Sequence, residues 1–346
     1  MVATRSQFPS LCLLAIESVA PARRKVLLAG AGVLAVLLAA PASSQSRYPS
    51  KPVRLIVPFP PGQGADIFAR MLAQQLTVAW GQQVFVDNRA GGAGVPAMMA
   101  GRAAAPDGYT LVMGTTSTLS VNPALIAKLP YDPVRDFAPV SNVVIGPLIF
   151  VAHPSFAPRS IPELVAAAKK DPGKLMVAVP GTGTSQHMTA GLFAWRAGIK
   201  LVYIPYKGSG PAMTDLIGGQ VPLMVDSVAS ALPQVRSGRI RGIAVTTAQR
   251  IPQLAEIPTI AESGYPGFEG VGWAGIVLPA ATPRELVERI SADVQKALND
   301  PRLHADIIAR GGIPDPRTPE GYAEFIQAET AKWAQVAKEA QIRVDE

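Results

Sequence analysis

An α/β architecture of two lobes, each a mostly parallel sheet flanked by helices, is predicted by three observations. Short apolar runs alternate with helical patterns along the chain. Several of those runs end in a loop of Gly, Ser or Thr that opens directly into a helix, at 58–66, 114–118 and 180–185. Finally, 346 residues with 48% hydrophobic and 16% charged side chains can bury more than one core.

The elements follow in order. Val53 to Val57 is a short apolar strand that stops at Pro58, and a helix runs over roughly 66–79. A strand at 83–86 leads to a second turn, Asp87 to Gly94, and a helix from Pro96, a residue suited to a first helical position. Pro106-Asp107-Gly108 turns into a strand at 109–113 that ends in Gly114-Thr115-Thr116-Ser117-Thr118. One strand near 143–152 carries the chain toward Pro154, and Ser160 caps a helix to about Lys170. A strand at 175–179 ends at Pro180-Gly181-Thr182-Gly183-Thr184-Ser185, with a helix to about Arg196. Strands at Val202–Pro205, Val221–Val225 and Gly242–Thr246 follow, with a helix from Pro211 between the first two. Val271 to Leu278 reads as a strand returning to the first lobe, and helices at about 283–298 and 318–340 complete the chain.

The N-terminus reads as an export signal, residues 1–42. Arg23-Arg24-Lys25 precedes an apolar stretch from Val26 to Ala40, and Ala40-Pro41-Ala42 supplies small residues for cleavage. That stretch is shorter than the ~20 residues a bilayer span needs. Removing it takes the 32 basic and 25 acidic residues to 28 and 24, so the formal charge falls from +7 to +4. The remaining basic residues are scattered, without the aromatic interleaving of a nucleic-acid surface. The single cysteine, Cys12, lies in the leader, and His153, His187 and His304 stand too far apart for a metal motif. Neither a metal nor a cofactor is expected.

Candidate binding residues cluster at the strand-to-helix loops. A helix start offers backbone N–H groups without intrahelical partners and a partial positive charge, a site for a carboxylate. The loop after the first strand, Pro60 to Asp66, is the leading candidate. Gly62, Gln63, Gly64 and Ala65 would cradle the anion with their N–H groups, and glycine at 62 and 64 would admit positive φ and close approach. Asp66 can touch the ligand, or can steady its helix start and pair with Arg70. Thr115, Thr116 and Ser117 can donate hydroxyls or cap a turn, and Gly183, Thr184 and Ser185 repeat the arrangement on the other side. His187 either holds a loop or reaches the cleft, Tyr206 frames it, and Asp226 contacts ligand, water or a neighbouring loop. Trp195, Trp273 and Trp333 are expected to be packing residues.

Six motifs stand in sequence order: Pro58-Phe59-Pro60-Pro61-Gly62 with Asp66 and Ala69-Arg70; Asp87-Asn88-Arg89 with its glycines; Pro106-Asp107-Gly108-Tyr109-Thr110; Gly181 to Ser185 with His187; Pro205-Tyr206-Lys207-Gly208 with Pro211-Ala212; and Pro258-Thr259 with Glu262. Together they resemble the Bug family, the substrate-binding receptors of tripartite tricarboxylate transporters. Gln63 stands where the family pattern has glycine. The resemblance implies a type II periplasmic-binding-protein clamshell, with residues 47–148 plus 272–346 in one lobe and 149–271 in the other. It also implies a periplasmic monomer that captures a small carboxylate between the lobes and passes it to the membrane components of the transporter.

Competing functions have less support. Thr184-Ser185-Gln186-His187 sets a serine near a histidine, but Gly183-x-Ser185 lacks the second glycine of a nucleophile elbow. Gly92-x-Gly94-x-x-Ala97 mimics a dinucleotide fingerprint without an acidic residue to hold the ribose. A non-enzyme is expected. A periplasmic sensor partner, presenting the same ligand to a signalling protein, shares the binding step.

Overall fold

The computed structural model describes residues 48–342, so the expected leader and Cys12 lie outside the described residues. The chain begins with a βαβ unit: β1 (Val53–Val57), α1 (Gly64–Trp80) and β2 (Val84–Asn88), which pairs parallel with β1. Helix α1 stops where Gly81 turns left-handed at φ 63°. Helix α2 (Val95–Arg102) and β3 (Thr110–Thr115) repeat the unit, and β3 pairs parallel with the other edge of β1. A π-helical turn, Thr116–Val121, and a short α3 (Asn122–Leu125) follow.

The chain then changes sheets. The single strand expected near 143–152 is two: β4 (Phe137–Gly146) in the first sheet and β5 (Leu148–Ala152) in the second. Pro147 lies between them and has no N–H to donate to either ladder, so the pairing breaks there. The second lobe adds α4 (Ile161–Lys170), β6 (Met176–Val179), α5 (Ser185–Ala197), β7 (Val202–Pro205), α6 (Ser209–Ile217), β8 (Leu223–Ser227), α7 (Val228–Arg236) and β9 (Arg241–Val245). Strand β10 (Gly272–Pro279) returns to the first sheet, followed by α8 (Arg284–Leu298), α9 (Pro301–Ala309), β11 (Ile313–Pro314) and α10 (Pro319–Glu339). Helix α9 was not foreseen, although Asp300 caps it through the N–H groups of Arg302 and Leu303 and Pro301 starts it.

The strand orders are β11-β4-β10-β3-β1-β2 and β7-β6-β8-β5-β9. Strands joined through helical crossovers pair parallel, whereas β4, β5, β9 and β10, which carry the chain between sheets or return it, pair antiparallel. Each sheet is therefore mixed rather than mostly parallel, within the expected two-lobed α/β class.

Each sheet has its own core. Ile56, Met98, Val112 and Trp273 pack on the first. Phe150, Phe193 and Phe268 meet edge to face on the second. Helix α10 serves both: Tyr322 and Ile326 fill the first core, and Trp333, Val336 and Ala337 fill the second. Between them, the Glu329 carboxylate accepts the indole N–H of Trp273 at 3.1 Å and of Trp333 at 3.0 Å. Trp195 is not a core residue; it is 45% exposed.

Candidate functional site

The segments at the carboxyl ends of β1 and β3 in the first sheet and of β6 and β8 in the second line one cavity, as open α/β sheets place their ligand sites. This cavity is small, about 50 Å³, and lies beside the junction of β4 and β5 where the chain changes sheets. From the first lobe it is lined by Phe59, Gln63, Gly64, Ala65, Phe68, Thr115, Thr116 and Ser117, and by Trp273 on the returning strand. Ser185, Gln186 and Ser227 line it from the second lobe. A larger cavity of about 1050 Å³ shares Phe59 and runs along Pro60, Gly91, Ile126, Gly181, Thr184, Tyr206 and Lys207.

No residue lining the small cavity carries a charge. The partial positive charge available to a ligand is that of the helix starts, a property of the backbone. Helices α1 and α5 aim their first turns at it, and Ser227, which caps α7, lies on its wall. At α5 the Thr184 hydroxyl receives the N–H of His187, and at α7 the Ser227 hydroxyl receives the N–H of Ser230. At α1 the N–H groups of Asp66 and Ile67 go to the Gln63 carbonyl. The N–H groups of Gly64 and Ala65 have no intrahelical partner by virtue of their position in the first turn. Converging helix starts favour an anion without requiring a buried cation.

Several predicted residues hold this arrangement rather than line it. Asp66 does not face the small cavity. Its carboxylate accepts from the Gly62 N–H at 2.9 Å, the Asn88 amide at 2.8 Å and the Arg70 guanidinium, fastening the first loop to its helix and to β2. Gly62 is needed for its backbone, at φ +83°, whereas Gly64 has no left-handed φ and is needed for space. A β-carbon on Gly64 would come 2.9 Å from the Ser227 hydroxyl oxygen. His187 packs edge-on to Tyr203 at 4.8 Å, and its Nδ1 accepts the Gly183 N–H at 3.3 Å, holding the 181–184 loop. Burial pushes its pKa down to about 4, so the ring is neutral. Tyr206 donates to Asp215 at 2.8 Å and, with Pro60 and Thr184, lines the larger cavity.

Asp226 is fully buried behind the cavity wall. It accepts from Ser209 at 2.7 Å, Ser230 at 2.9 Å and the Ser227 N–H at 2.7 Å. Burial pushes its pKa up to about 6, against those hydrogen bonds and one from Gln186, which hold it down. It positions the two second-lobe residues that sequence reasoning passed over, Gln186 and Ser227. Both are adjacent to residues that were singled out, but hydroxyl and amide side chains have no spacing signature of their own. Thr116 receives the Trp273 N–H at 2.8 Å, tying the first lobe's π-helical turn to the returning strand. The Ser185 hydroxyl donates to the Gln186 side chain at 3.1 Å and not to His187, so the two do not form a nucleophile–base pair.

Residues 68–342 match the model of the tripartite tricarboxylate transporter family receptor. The chain is 37% identical over 303 residues to BugT of Bordetella pertussis, covering 87% of this chain and 93% of that protein. Among solved structures, it is 34% identical to an R. palustris protein solved with adipate, with a TM-score of 0.83 over 86% of this chain and 99% of the other. It is 30% identical to MatC of Rhodopseudomonas palustris, solved with bound malate, with a TM-score of 0.79 over 84% and 99% of the two chains.

Proposed function

The chain belongs to the tripartite tricarboxylate transporter receptor family, whose members are solute-binding proteins and not enzymes, and on that premise we propose that it captures a small carboxylate in the periplasm and delivers it to the membrane components of such a transporter. The uncharged cavity at the meeting of helix starts from both lobes carries this reading. The N–H groups of Gly64, Ala65 and Ser185, with the Ser117 hydroxyl, are the proposed carboxylate contacts. Asp66, His187 and Asp226 hold the loops that present them, while Pro60, Thr184 and Tyr206 border the wider end of the cleft. The relatives solved with adipate and with malate support a carboxylate as the ligand here.

Residues 1–42 are proposed as the export signal, leaving a monomer that begins near Ser43. Residues 47–148 plus 272–346 and residues 149–271 are the proposed moving lobes. A ligand touching both favours the closed arrangement to the extent of its differential affinity. A thermal-shift screen of small carboxylates tests the proposal, since a ligand at 100 times its Kd adds about 2.7 kcal/mol of stability. A hit should be recovered unaltered and should reduce the radius measured by small-angle scattering. A hit converted into another compound overturns the receptor reading.

A further inference from the structure

The residue that caps helix α1 bonds nothing with its side chain. Gln63 occupies the N-cap position at φ −77° and ψ 153°, where Ser, Thr, Asp or Asn usually turns a side-chain oxygen onto the first N–H groups. Its side chain instead lines the cavity, with the residue only 3% exposed. Its Oε1 is buried and has no hydrogen-bond partner. Buried amide oxygens are rarely left without a donor, because removing one from water without compensation is costly.

The neighbouring side-chain donors are already used, apart from the Ser117 hydroxyl, which the proposed function assigns to the ligand's carboxylate. The Thr116 hydroxyl is held on Trp273, the Ser185 hydroxyl on Gln186, and the Ser227 hydroxyl pairs with Ser230 at 2.6 Å. A donor carried by the ligand would therefore complete the bonding of Gln63 Oε1. It must also lie close to the ligand's carboxylate, since Gln63 immediately precedes Gly64 and Ala65, whose N–H groups would bind that carboxylate.

We propose that the ligand is a carboxylate bearing a hydroxyl or ammonium donor beside its carboxyl group, and that Gln63 Oε1 receives that donor. The proposal rests on the carboxylate reading of the cleft and narrows it to hydroxy and amino acids. A site that buries an acceptor for a ligand hydroxyl rejects the analogue lacking it, because the acceptor is then left unpaired. If the Gln63 amide were rotated end for end, its NH₂ group would serve a bare carboxylate equally well, and no such preference would exist.

Calorimetry on the purified protein with matched compounds separates the cases. The probes are succinate, malate and aspartate; glutarate, 2-hydroxyglutarate and glutamate; and phenylacetate with mandelate. In every set that binds, a donor-bearing member should bind about tenfold or more tighter than its unsubstituted parent. In the Gln63→Leu variant, checked for an unchanged melting transition, that ratio should collapse toward one. Parent and donor-bearing compounds binding equally to the unaltered protein would overturn the inference and leave the carboxylate reading standing. If no compound in any set binds, both fall together.

Discussion

Gly64 at the start of α1 and Ser227 at the cap of α7 meet across the cleft with no room for a side chain between them. A β-carbon on Gly64 would lie 2.9 Å from the Ser227 hydroxyl oxygen and 3.0 Å from its β-carbon. Gly208 and Pro60 meet in the same way, with a β-carbon on Gly208 falling 2.8 Å from the Pro60 ring. The described arrangement is thus one in which the lobes already touch.

Gly64→Val should weaken ligand binding by at least about tenfold, or about 1.4 kcal/mol, by keeping α1 and α7 apart. The helix itself tolerates the change, because Gly64 has no left-handed φ. Calorimetry together with a melting curve checks this. Unchanged affinity would show that the Gly64–Ser227 approach plays no part in binding.

Acid stability should reveal two opposed groups in the second lobe. His187 has a folded pKa of about 4 against 6.5 when free, so the unfolded chain binds the extra proton between those values. Its contribution is full above pH 6.5 and is lost as the pH falls toward 4. Asp226 is raised from 3.8 to about 6, so its contribution is full below pH 3.8 and is lost as the pH rises through 6. Between pH 4 and 6 the two slopes, each at most about 1.4 kcal/mol per pH unit, largely cancel. Urea midpoints measured across this range should fall toward acid in Asp226→Asn and rise toward acid in His187→Gln. Curves parallel to that of the unaltered protein would refute the assignment.

Asp66→Ala should cost about 2 kcal/mol, since the Gly62 N–H and the Asn88 amide lose their acceptor together. Ligand affinity should fall as well, because the loop that presents Gly64 loses its fastening. If calorimetry finds weaker binding without any loss of denaturant stability, Asp66 acts on the ligand directly.

Much of the fold could be read from the chain because its punctuation is local. Val53 to Val57 ends at a proline and Ser160 caps α4, both as expected. Changes of sheet are different, since apolar residues run through 143–152 without a gap and only Pro147 marks the break. The glycine and hydroxyl loops pointed to the cleft, and seven of the residues they suggested line the small cavity, among them Gln63, Gly64 and Ser185. Their separate tasks depended on burial. A carboxylate such as Asp226 at a strand end looks the same in sequence whether it faces a ligand or is covered by serines. The double allegiance of α10 was also hidden, because one apolar stripe does not say which core each turn enters.

Glu329→Leu should destabilise the protein by about 3 kcal/mol, since it leaves two buried indole N–H groups without an acceptor. The tryptophan emission of Trp273 and Trp333 should change at the same time. A variant with native stability and native emission would mean that the carboxylate between the lobes contributes nothing to their connection.

Helix α10 also sets an order of assembly. The second lobe draws its strands from the middle of the chain, yet its core is filled by Trp333, Val336 and Ala337 near the far end. During synthesis that lobe has all its strands and helices long before it can exclude water from its centre. The last turns of the chain therefore act as a completion step, and a chain cut short before them presents an open apolar surface to chaperones and proteases.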